Sequence, residues 1–397
     1  MQTNPQLTGV SCTDCGASFD PGDAPGRCPD CGGVLDPRYD LDAIDLTRAD
    51  LDARAGRSQW RYRELLPFAP DAAVTLEEGG TPLVAVPDLA TELDVEAVYV
   101  KDEGRNPTGS VDDRAQSLAA TAAREAGATD VALASTGADG QSAAAYAARA
   151  RLDSHVFVPS RAGFTHKAMV NVHGGDMSVV EGRIGDAEMA FADAFADAAS
   201  WHPVGAFSNP YAHEGAKTLY AETVAALDWT APDAVVCPVG RGATLYGAYR
   251  GATALCDLGL AADVPAMYAA QAAGCAPVVR AFEAERDTHD PAEHPDTICG
   301  RVEIPDPPGG PLVLSAIRES GGGAVAAPDA EVLEGATWLA ATAGLEIGAS
   351  SGAAVAAARH LADEGAFESD DVIALVNAGA GSTDDDVLRS HLMRKGV

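Results

Sequence analysis

Lysine is scarce in this chain of 397 residues: only four of its 27 Lys and Arg residues are lysines. Aromatic residues make up 6% of the chain. No run approaches the roughly 18 consecutive apolar residues that a membrane-spanning helix needs. The start of the chain also lacks the basic and apolar regions of a secretory signal peptide. We therefore expect a cytoplasmic protein without a membrane anchor.

Positive charge is scarce too, because 59 acidic residues face 27 basic ones and the formal net charge is −32. This balance argues against a nucleic-acid partner, which needs a basic face, and against an anionic membrane surface. We interpret the acidity as adaptation to a saline, halophilic cytoplasm; a merely acidic enzyme is the alternative. The length and the 47% of hydrophobic residues predict two large domains and a small extra module.

Four of the eight cysteines form two C-x-x-C pairs near the N-terminus, Cys12 with Cys15 and Cys28 with Cys31. Four thiolates at this spacing suit a tetrahedral Zn²⁺ with no open position. The segment between the pairs has few apolar residues, so a bound metal would supply the stability it lacks. Two disulfides or a redox pair are the alternatives; a cytoplasmic setting disfavours the first, and the pairing of two motifs disfavours the second. We predict a structural zinc ribbon over residues 1–40.

From about residue 95 onwards the pattern alternates between strands and helices. Residues 155–159 and 234–238 are typical of buried strands, and residues 245–258 and 331–342 are typical of helices. Such alternation predicts an α/β fold with parallel sheets that helices cover on both faces. Residues 287–307 are acidic and rich in proline, and we predict a loop there.

Glycine-containing turns follow three of the predicted strands, at residues 135–140, 238–244 and 377–383. Ligands of parallel sheets collect at the carboxyl ends of strands, where backbone N–H groups at a helix N-terminus attract anions. For each turn taken alone, a plain structural role is the favoured interpretation, because such turns are common in this fold class. A fourth segment, residues 101–110, also follows a strand directly and is more specific.

Together with this segment, several collinear stretches resemble the threonine synthase family of pyridoxal-phosphate (PLP) enzymes. The stretches are W-R-Y-R-E-L-L-P at residues 60–67, E-G-G-T-P-L at 78–83, N-P-Y-A-H-E-G-A-K-T at 209–218 and Q-A-A-G-C-A-P at 271–277. The ribbon and the W-R-Y stretch favour threonine synthase over cysteine synthase and threonine deaminase, which are its relatives by fold.

The resemblance implies the tryptophan-synthase-β fold, PLP fold type II, with two doubly wound parallel-sheet domains behind the ribbon. It places the large domain at residues 41–105 and 211–397 and the small domain at 106–210. It also implies a lyase of amino-acid biosynthesis that removes phosphate from O-phosphohomoserine and adds water to give threonine. In that chemistry PLP forms an imine with a lysine and serves as an electron sink. A small phosphorylated or amino-acid metabolite is the expected partner, and a monomer or homodimer is the expected assembly.

The sequence departs from the family at the lysine itself. The family's N-P-T-G-S-F-K-D-R reads N-P-T-G-S-V-D-D-R here, so Asp112 stands at the lysine position and Val111 at the preceding phenylalanine. A carboxylate cannot form an imine. Ala138 stands where the family has an asparagine beside the cofactor's phenolic oxygen, and Ala378 stands where it has a hydroxyl near the pyridine nitrogen.

The resemblance further implies which residues would lie at a cofactor or at an anion in its place. These residues are Asn106, Ser135, Thr136, Gly137, Gly240, Arg241, Gly242, Ala243 and Thr244. The last five form the phosphate loop, in which Arg241 is an addition to the family pattern. No catalytic residue is predicted with this set.

Three hypotheses follow. The leading one is a threonine-synthase-like paralogue, a pseudoenzyme that has lost PLP aldimine chemistry and binds an anion or metabolite. The second is a working PLP-dependent threonine synthase. The third is a repurposed, lysine-independent enzyme with Asp112 or Asp113 as general base. Lys101, Lys167 and Lys217 fall where the family commonly has lysine for other purposes, and Lys395 is near the end of the chain.

Overall fold

The computed structural model describes residues 1–198 and 200–394, so Lys395 lies outside the described residues. The strands are β1 (Leu7–Cys12), β2 (Ser18–Phe19), β3 (Leu35–Tyr39), β4 (Leu83–Ala85), β5 (Ala97–Asp102), β6 (Asp130–Ala134), β7 (Asp153–Pro159), β8 (Asp176–Val180), β9 (Trp201–Pro203), β10 (Ala234–Pro238), β11 (Ala266–Ala272), β12 (Gly323–Ala327) and β13 (Val372–Asn377). The helices are α1 (Arg48–Ala53), α2 (Pro87–Leu93), α3 (Asp112–Glu125), α4 (Ala138–Ala150), α5 (Phe164–Val172), α6 (Ile184–Asp197), α7 (Ala216–Ala226), α8 (Ala243–Asp257), α9 (Pro277–Glu283), α10 (Gly310–Glu319), α11 (Asp329–Ala343), α12 (Gly352–Asp363) and α13 (Asp385–Arg394).

The chain folds into two compact units. The four-strand unit contains Met1–Gly80, Asp112–Ala221 and Arg250–Ala261. The six-strand unit contains Thr81–Val111, Glu222–Tyr249 and Ala262–Val397. The domain boundaries given above stay a prediction.

The six-strand unit is built on one mixed sheet in the order β12-β11-β10-β13-β5-β4. All neighbours pair in parallel except the edge strand β4, which runs antiparallel to β5. Alanine and valine dominate its strands, because a parallel sheet covered by helices is buried on both faces. Helix α12 packs against β10 to β13, and its buried Ala353, Val355 and Ala357 share one core with Val236 and Leu375.

The four-strand unit holds two sheets. The larger one has the order β8-β7-β6-β9 and is parallel throughout. Its core includes Val131, Val156 and the alanines of α4. The smaller sheet is antiparallel, in the order β2-β1-β3, and carries the N-terminal cysteines.

The predicted fold class is confirmed. Strand β10 has the predicted bounds, and the predicted helices at 245–258 and 331–342 correspond to α8 and α11 with shifts of one or two residues at their ends. Within residues 1–198 and 200–394, no helix combines the length and the apolar character that crossing a membrane requires.

Candidate functional site

The six-strand unit brings three of the predicted segments to one edge of its sheet. Strands β10, β13 and β5 are parallel neighbours, so the residues that follow their carboxyl ends lie side by side. Two of these segments also pair directly: the Val111 amide donates to the Ala378 carbonyl at 2.9 Å, and the Ala380 amide donates to the Gly109 carbonyl at 2.8 Å. The predicted lysine segment and the C-terminal glycine turn therefore meet.

The phosphate loop, Gly240–Thr244, joins β10 to the start of the 15-residue helix α8. Gly242 has a φ of +98°, which L side chains adopt only with strain. A side chain there would also press against Val313 and the Gly309 carbonyl. The Gly309 amide donates to the Arg241 carbonyl at 3.1 Å. This hydrogen bond ties the half-buried phosphate loop to the residues that precede α10. Backbone N–H groups in this position suit an anion.

A guanidinium that the sequence interpretation did not single out lies on the same edge. Nη2 of Arg301 donates to Oγ of Ser110 at 2.8 Å and to the Ala378 carbonyl at 3.3 Å. A methyl group added at Gly379 would overlap Nη1 of Arg301. Arg301 is the only Lys or Arg between residues 287 and 307. This isolated positive charge in an acidic loop is the sequence signal that could have identified it.

The Asp384 carboxyl adds a negative group to this region. Burial raises its pKa, although the charge of Arg301 and a hydrogen bond from the Ala349 amide oppose that change. The Ala349 amide donates to Oδ2 of Asp384 at 2.9 Å. The edge of the sheet therefore carries both a cation and a partly compensated acid.

Asn106, predicted at the cofactor, lies at this edge and bonds to its own loop. Its Nδ2 donates to Oε2 of Glu103 at 2.7 Å and to the Glu103 carbonyl at 3.1 Å. Glu103 also accepts a hydrogen bond from Oγ1 of Thr81 at 2.5 Å. Both Asn106 and Glu103 are buried, so the amide supports the loop conformation.

Other predicted residues lie in the four-strand unit, where Asp112 and Asp113 open helix α3. Asp113 is fully buried and accepts a hydrogen bond from Oγ of Ser142 at 2.5 Å. Gln116 donates to Oδ1 of Asp139 at 2.6 Å. These contacts tie α3 to α4, and negative side chains in the first turn of α3 suit its dipole. The buried, bonded Asp113 is poorly placed as a general base.

The predicted turn Ser135–Thr136–Gly137 connects β6 to α4. Oγ of Ser135 accepts from the Gly137 amide at 3.0 Å and from the Gly140 amide at 2.8 Å. Gly137 has a φ of +138° and lies against the ring of His166. The Ser135 hydroxyl therefore holds the first turn of the helix, where Ala138 is buried.

The three described lysines each have defined partners. Lys101 is 1% exposed, and its Nζ donates to Oε2 of Glu222 at 2.6 Å and to the Thr81 carbonyl at 2.7 Å. Lys217 is buried in an ion pair with Glu214. Burial lowers the pKa of the Lys217 ammonium, and the Glu214 charge opposes that change. Nζ of Lys167 donates to the Ser160 carbonyl at 2.8 Å.

The four N-terminal cysteines converge with their ligand atoms within 4.8 Å of one another. Sγ of Cys12 lies 3.5 Å from Sγ of Cys31, and Sγ of Cys15 lies 3.6 Å from Sγ of Cys28. These thiols are free. Zn–S bonds of about 2.3 Å would place tetrahedral sulfurs about 3.8 Å apart. The cluster is therefore compatible with a metal and does not contain the alternative disulfides.

A second group of possible ligands, Asp36, His213 and Glu214, is buried near β3. Oδ1 of Asp36 lies 2.9 Å from Nε2 of His213, and its other oxygen pairs with Arg250. Glu214 pairs with Lys217. Because two cations already neutralise the two carboxylates, we interpret this group as a buried ion network.

Comparison with known proteins agrees with this architecture. Residues 74–379 match the family described as pyridoxal-phosphate dependent enzymes. The chain is 33% identical over 371 residues to threonine synthase of Methanosarcina acetivorans, covering 93% of this chain and 91% of the relative. It is 33% identical over 378 residues to threonine synthase of Methanocaldococcus jannaschii, covering 94% and 93%.

Solved structures share the fold. Maize serine racemase superposes with a TM-score of 0.67 at 16% identity, covering 80% of this chain and 94% of the racemase. Isoform 2 of threonine deaminase from Solanum lycopersicum superposes with a TM-score of 0.64 at 18% identity, covering 78% of this chain and 82% of the deaminase. The fold and the matching residues thus define a pyridoxal-phosphate dependent enzyme family of fold type II. The chain belongs to the threonine synthase family within it.

The residues of this chain do not fit PLP held in the family's manner. Residue 112 offers a carboxylate in place of an amine, and Ala378 offers no hydroxyl. The guanidinium of Arg301 lies on Gly379, the residue that follows Ala378.

Proposed function

We propose that this chain is a threonine-synthase-like protein that has lost PLP aldimine chemistry and binds a small anion or phosphorylated metabolite. The observation that carries the proposal is Asp112, the residue at the position of the family's imine-forming lysine. An aspartate has no nitrogen with which to form the bond. Without that amine, the family's proton-moving lysine is missing as well.

The surroundings of Lys101, Lys167 and Lys217, the lysines that the structure describes, support the proposal. An amine can replace the missing one only if it reaches the reacting carbon, because imine formation depends on close geometry. Lys101 is held by Glu222 and Thr81 inside the six-strand unit. Lys217 is held by Glu214, and Lys167 by the Ser160 carbonyl.

The phosphate loop supports the retained part of the function. Gly240–Thr244 keeps two glycines, a hydroxyl and the position at the N-terminus of α8. Backbone N–H groups and the helix dipole attract an anion there. Arg241 can add a charge-assisted contact to a phosphate. The ligand class is therefore a phosphate or a small phosphorylated metabolite.

The proposal also includes a structural zinc ion in the ribbon. Four sulfurs at 3.5 and 3.6 Å in the two closest pairs match the size of a tetrahedral thiolate shell. A closed shell of four thiolates leaves no position for a substrate. The metal would hold the ribbon and take no part in a reaction.

Two alternatives stay in competition. Identity of 33% to proteins named threonine synthase favours an active enzyme that converts O-phosphohomoserine to threonine and phosphate. Half-buried Asp112 at the start of α3 favours lysine-independent catalysis with a carboxylate base. The first alternative predicts turnover of O-phosphohomoserine by the unmodified protein, and the second predicts turnover of a substrate in the same cleft, whereas the proposal predicts no turnover.

The test compares the purified protein with lysine-restored variants. With PLP, the unmodified protein should show no imine absorption band, and borohydride should fix no cofactor at residue 112 by peptide mass spectrometry. It should release no phosphate from O-phosphohomoserine. Asp112→Lys should restore some covalent PLP. The triple variant Asp112→Lys, Ala138→Asn, Ala378→Thr should restore more, because each added polar contact contributes roughly 0.5–1.5 kcal/mol.

Asp193→Lys is the matched control, since it makes the same charge change on the exposed face of α6. Any imine that forms on Asp193→Lys measures non-specific reaction with surface lysine. Threonine formation by the unmodified protein would overturn the proposal. Equal trapping in Asp112→Lys and Asp193→Lys would show that the rest of the cofactor site is gone.

A further inference from the structure

The acidic segment 287–307 is fixed to the six-strand unit at several points. The Asp296 amide donates to the Gly274 carbonyl at 2.9 Å. Thr297 donates through Oγ1 to Oδ1 of Asp329 at 2.5 Å, and the Ile298 amide donates to Oδ2 of the same carboxylate at 2.8 Å. The predicted loop is therefore tied to the turn that follows β11 and to the start of α11.

The residues beside Arg301 anchor it further. The short 3₁₀ turn Gly300–Val302 precedes Ile304, and the side chains of Val302 and Ile304 are buried. The Arg301 carbonyl, Val302 and Ile304 lie against Gly240 of the phosphate loop. Since its neighbours are packed, the Arg301 side chain starts from a fixed backbone position.

The guanidinium then extends to the C-terminal glycine turn. It donates to Ser110 and to the Ala378 carbonyl, and it covers Gly379 so closely that a Cβ would not fit. Ser110 is 1% exposed, so the hydrogen bond from Arg301 to the Ser110 hydroxyl ends on a buried side chain. A flat aromatic ring at Ala378 and Gly379 would have to displace this group and break both hydrogen bonds.

We infer that Arg301 is a specificity determinant of this site: its guanidinium lies against Ala378 and Gly379, where the resemblance to the family implies the pyridine nitrogen, and disfavours PLP. The phosphate loop stays available to a phosphate that carries no aromatic ring. The inference rests on the proposed function, because it takes the loss of the cofactor as its starting point. It adds a residue that would limit PLP binding even when an amine is restored at residue 112.

The experiment uses the full-length protein in two backgrounds. In the Asp112→Lys background, Arg301→Ala should raise the amount of borohydride-fixed PLP at residue 112 and tighten PLP binding about tenfold, as expected for releasing two hydrogen bonds. In the unmodified background, Arg301→Ala should raise non-covalent PLP binding measured by equilibrium dialysis. Calorimetric binding of inorganic phosphate should stay unchanged in both.

Arg359→Ala serves as the matched arginine control, because Arg359 pairs with Glu92 on the surface of the same unit. Arg301→Ser repeats the deletion with a polar side chain, and thermal midpoints verify that each variant folds. Unchanged or weaker PLP binding in both Arg301 variants would overturn the inference. Weaker phosphate binding would also overturn it, since Arg301 would then be a ligand for the anion.

Failure of the proposed function gives a different result. It would appear in the unmodified protein as fixed PLP or as threonine formation, whatever residue 301 is. Failure of the Arg301 inference would leave the unmodified protein inert and the Asp112→Lys variant equally loaded with and without Arg301. The unmodified protein therefore reports failure of the proposed function, and the Asp112→Lys variants report failure of the Arg301 inference.

Discussion

At the scale of a single residue, Lys101 is a buried amine that its ion pair holds in place. It lies eleven positions before Asp112 in the chain and at the end of β5. Its ammonium is 1% exposed and is bonded to Glu222 and to the Thr81 carbonyl. Removing a charged group from such a buried pair leaves the other charge without compensation. The pair therefore stabilises the unit and holds the amine in place.

This pairing makes a prediction for stability. Glu222→Ala should lower the free energy of unfolding by about 3–5 kcal/mol, because it leaves the Lys101 ammonium buried without its carboxylate. Glu222→Gln should lose less, since an amide oxygen can still accept a hydrogen bond. Urea denaturation monitored by circular dichroism measures both. Glu96→Ala, at an exposed position of the same unit, should stay within about 0.5 kcal/mol. A Glu222→Ala protein as stable as this control would contradict the role of the pair.

Among the elements, the cysteine ribbon is the one whose stability the proposal ties to a ligand. Its strands β1, β2 and β3 are short, and Cys12 and Cys28 belong to its buried cluster. The same cluster includes Phe68 and Tyr211, whose rings meet edge to face at a centroid distance of 4.9 Å. Loosening the ribbon should therefore affect the core of the four-strand unit beyond residue 40.

We predict one equivalent of zinc in protein purified without chelator, held by Cys12, Cys15, Cys28 and Cys31. Cys12→Ser should lose the metal and lower the unfolding midpoint, because structural zinc contributes folding free energy. Elemental analysis and thermal denaturation measure the two effects. Cys256→Ser is the control, since Cys256 lies on α8 outside the cluster. Metal-free protein with an intact midpoint would exclude a structural zinc.

Elements with a clear hydrophobic pattern could be predicted from the sequence. Very short elements, and elements that begin with glycine and proline, could not. Strand β10 is a run of buried residues and was predicted to the residue. Helix α10 begins at Gly310 and Pro311, which look like a turn although proline suits the first helical turn. Strand β9 has only three residues. Its place in the sheet comes from pairing with β6, a long-range contact that no local pattern contains.

The same division applies to the candidate site. The resemblance implied that the turns after β5, β6, β10 and β13 serve one cofactor site. Parallel pairing of β10, β13 and β5 accounts for the proximity of three of these turns. Arg301 was not predicted as a site residue. It arrives from a loop nearly 200 residues after Ser110, and only the tertiary fold brings the two together.

For the whole molecule, the net charge of −32 is the dominant physical property. Like charges spread over a compact surface repel one another, and this repulsion lowers stability when salt is low. The Debye length falls from about 10 Å at 0.1 M salt to about 3 Å at 1 M. Screening of this kind would favour the folded protein in a saline cell interior.

We therefore predict that the thermal midpoint rises by several degrees between about 0.1 M and 1 M KCl, with most of the gain at the lower concentrations. Differential scanning calorimetry measures the midpoint. Sucrose at matched osmolality supplies the comparison, because it stabilises by exclusion from the surface without screening charge. A midpoint that is flat in KCl, or that follows sucrose alone, would contradict the screening explanation.

The contact of the Arg301 guanidinium with Gly379 has a consequence for how the stability of this region depends on ligand concentration. A dissociable cofactor stabilises its protein only in proportion to its free concentration over its dissociation constant. A side chain of the same polypeptide is always present at a high effective concentration, set by the chain that carries it. If Arg301 takes the cofactor's place, as we infer from its contacts with Ser110 and Gly379, the integrity of this sheet edge would not depend on how much pyridoxal phosphate the cell supplies.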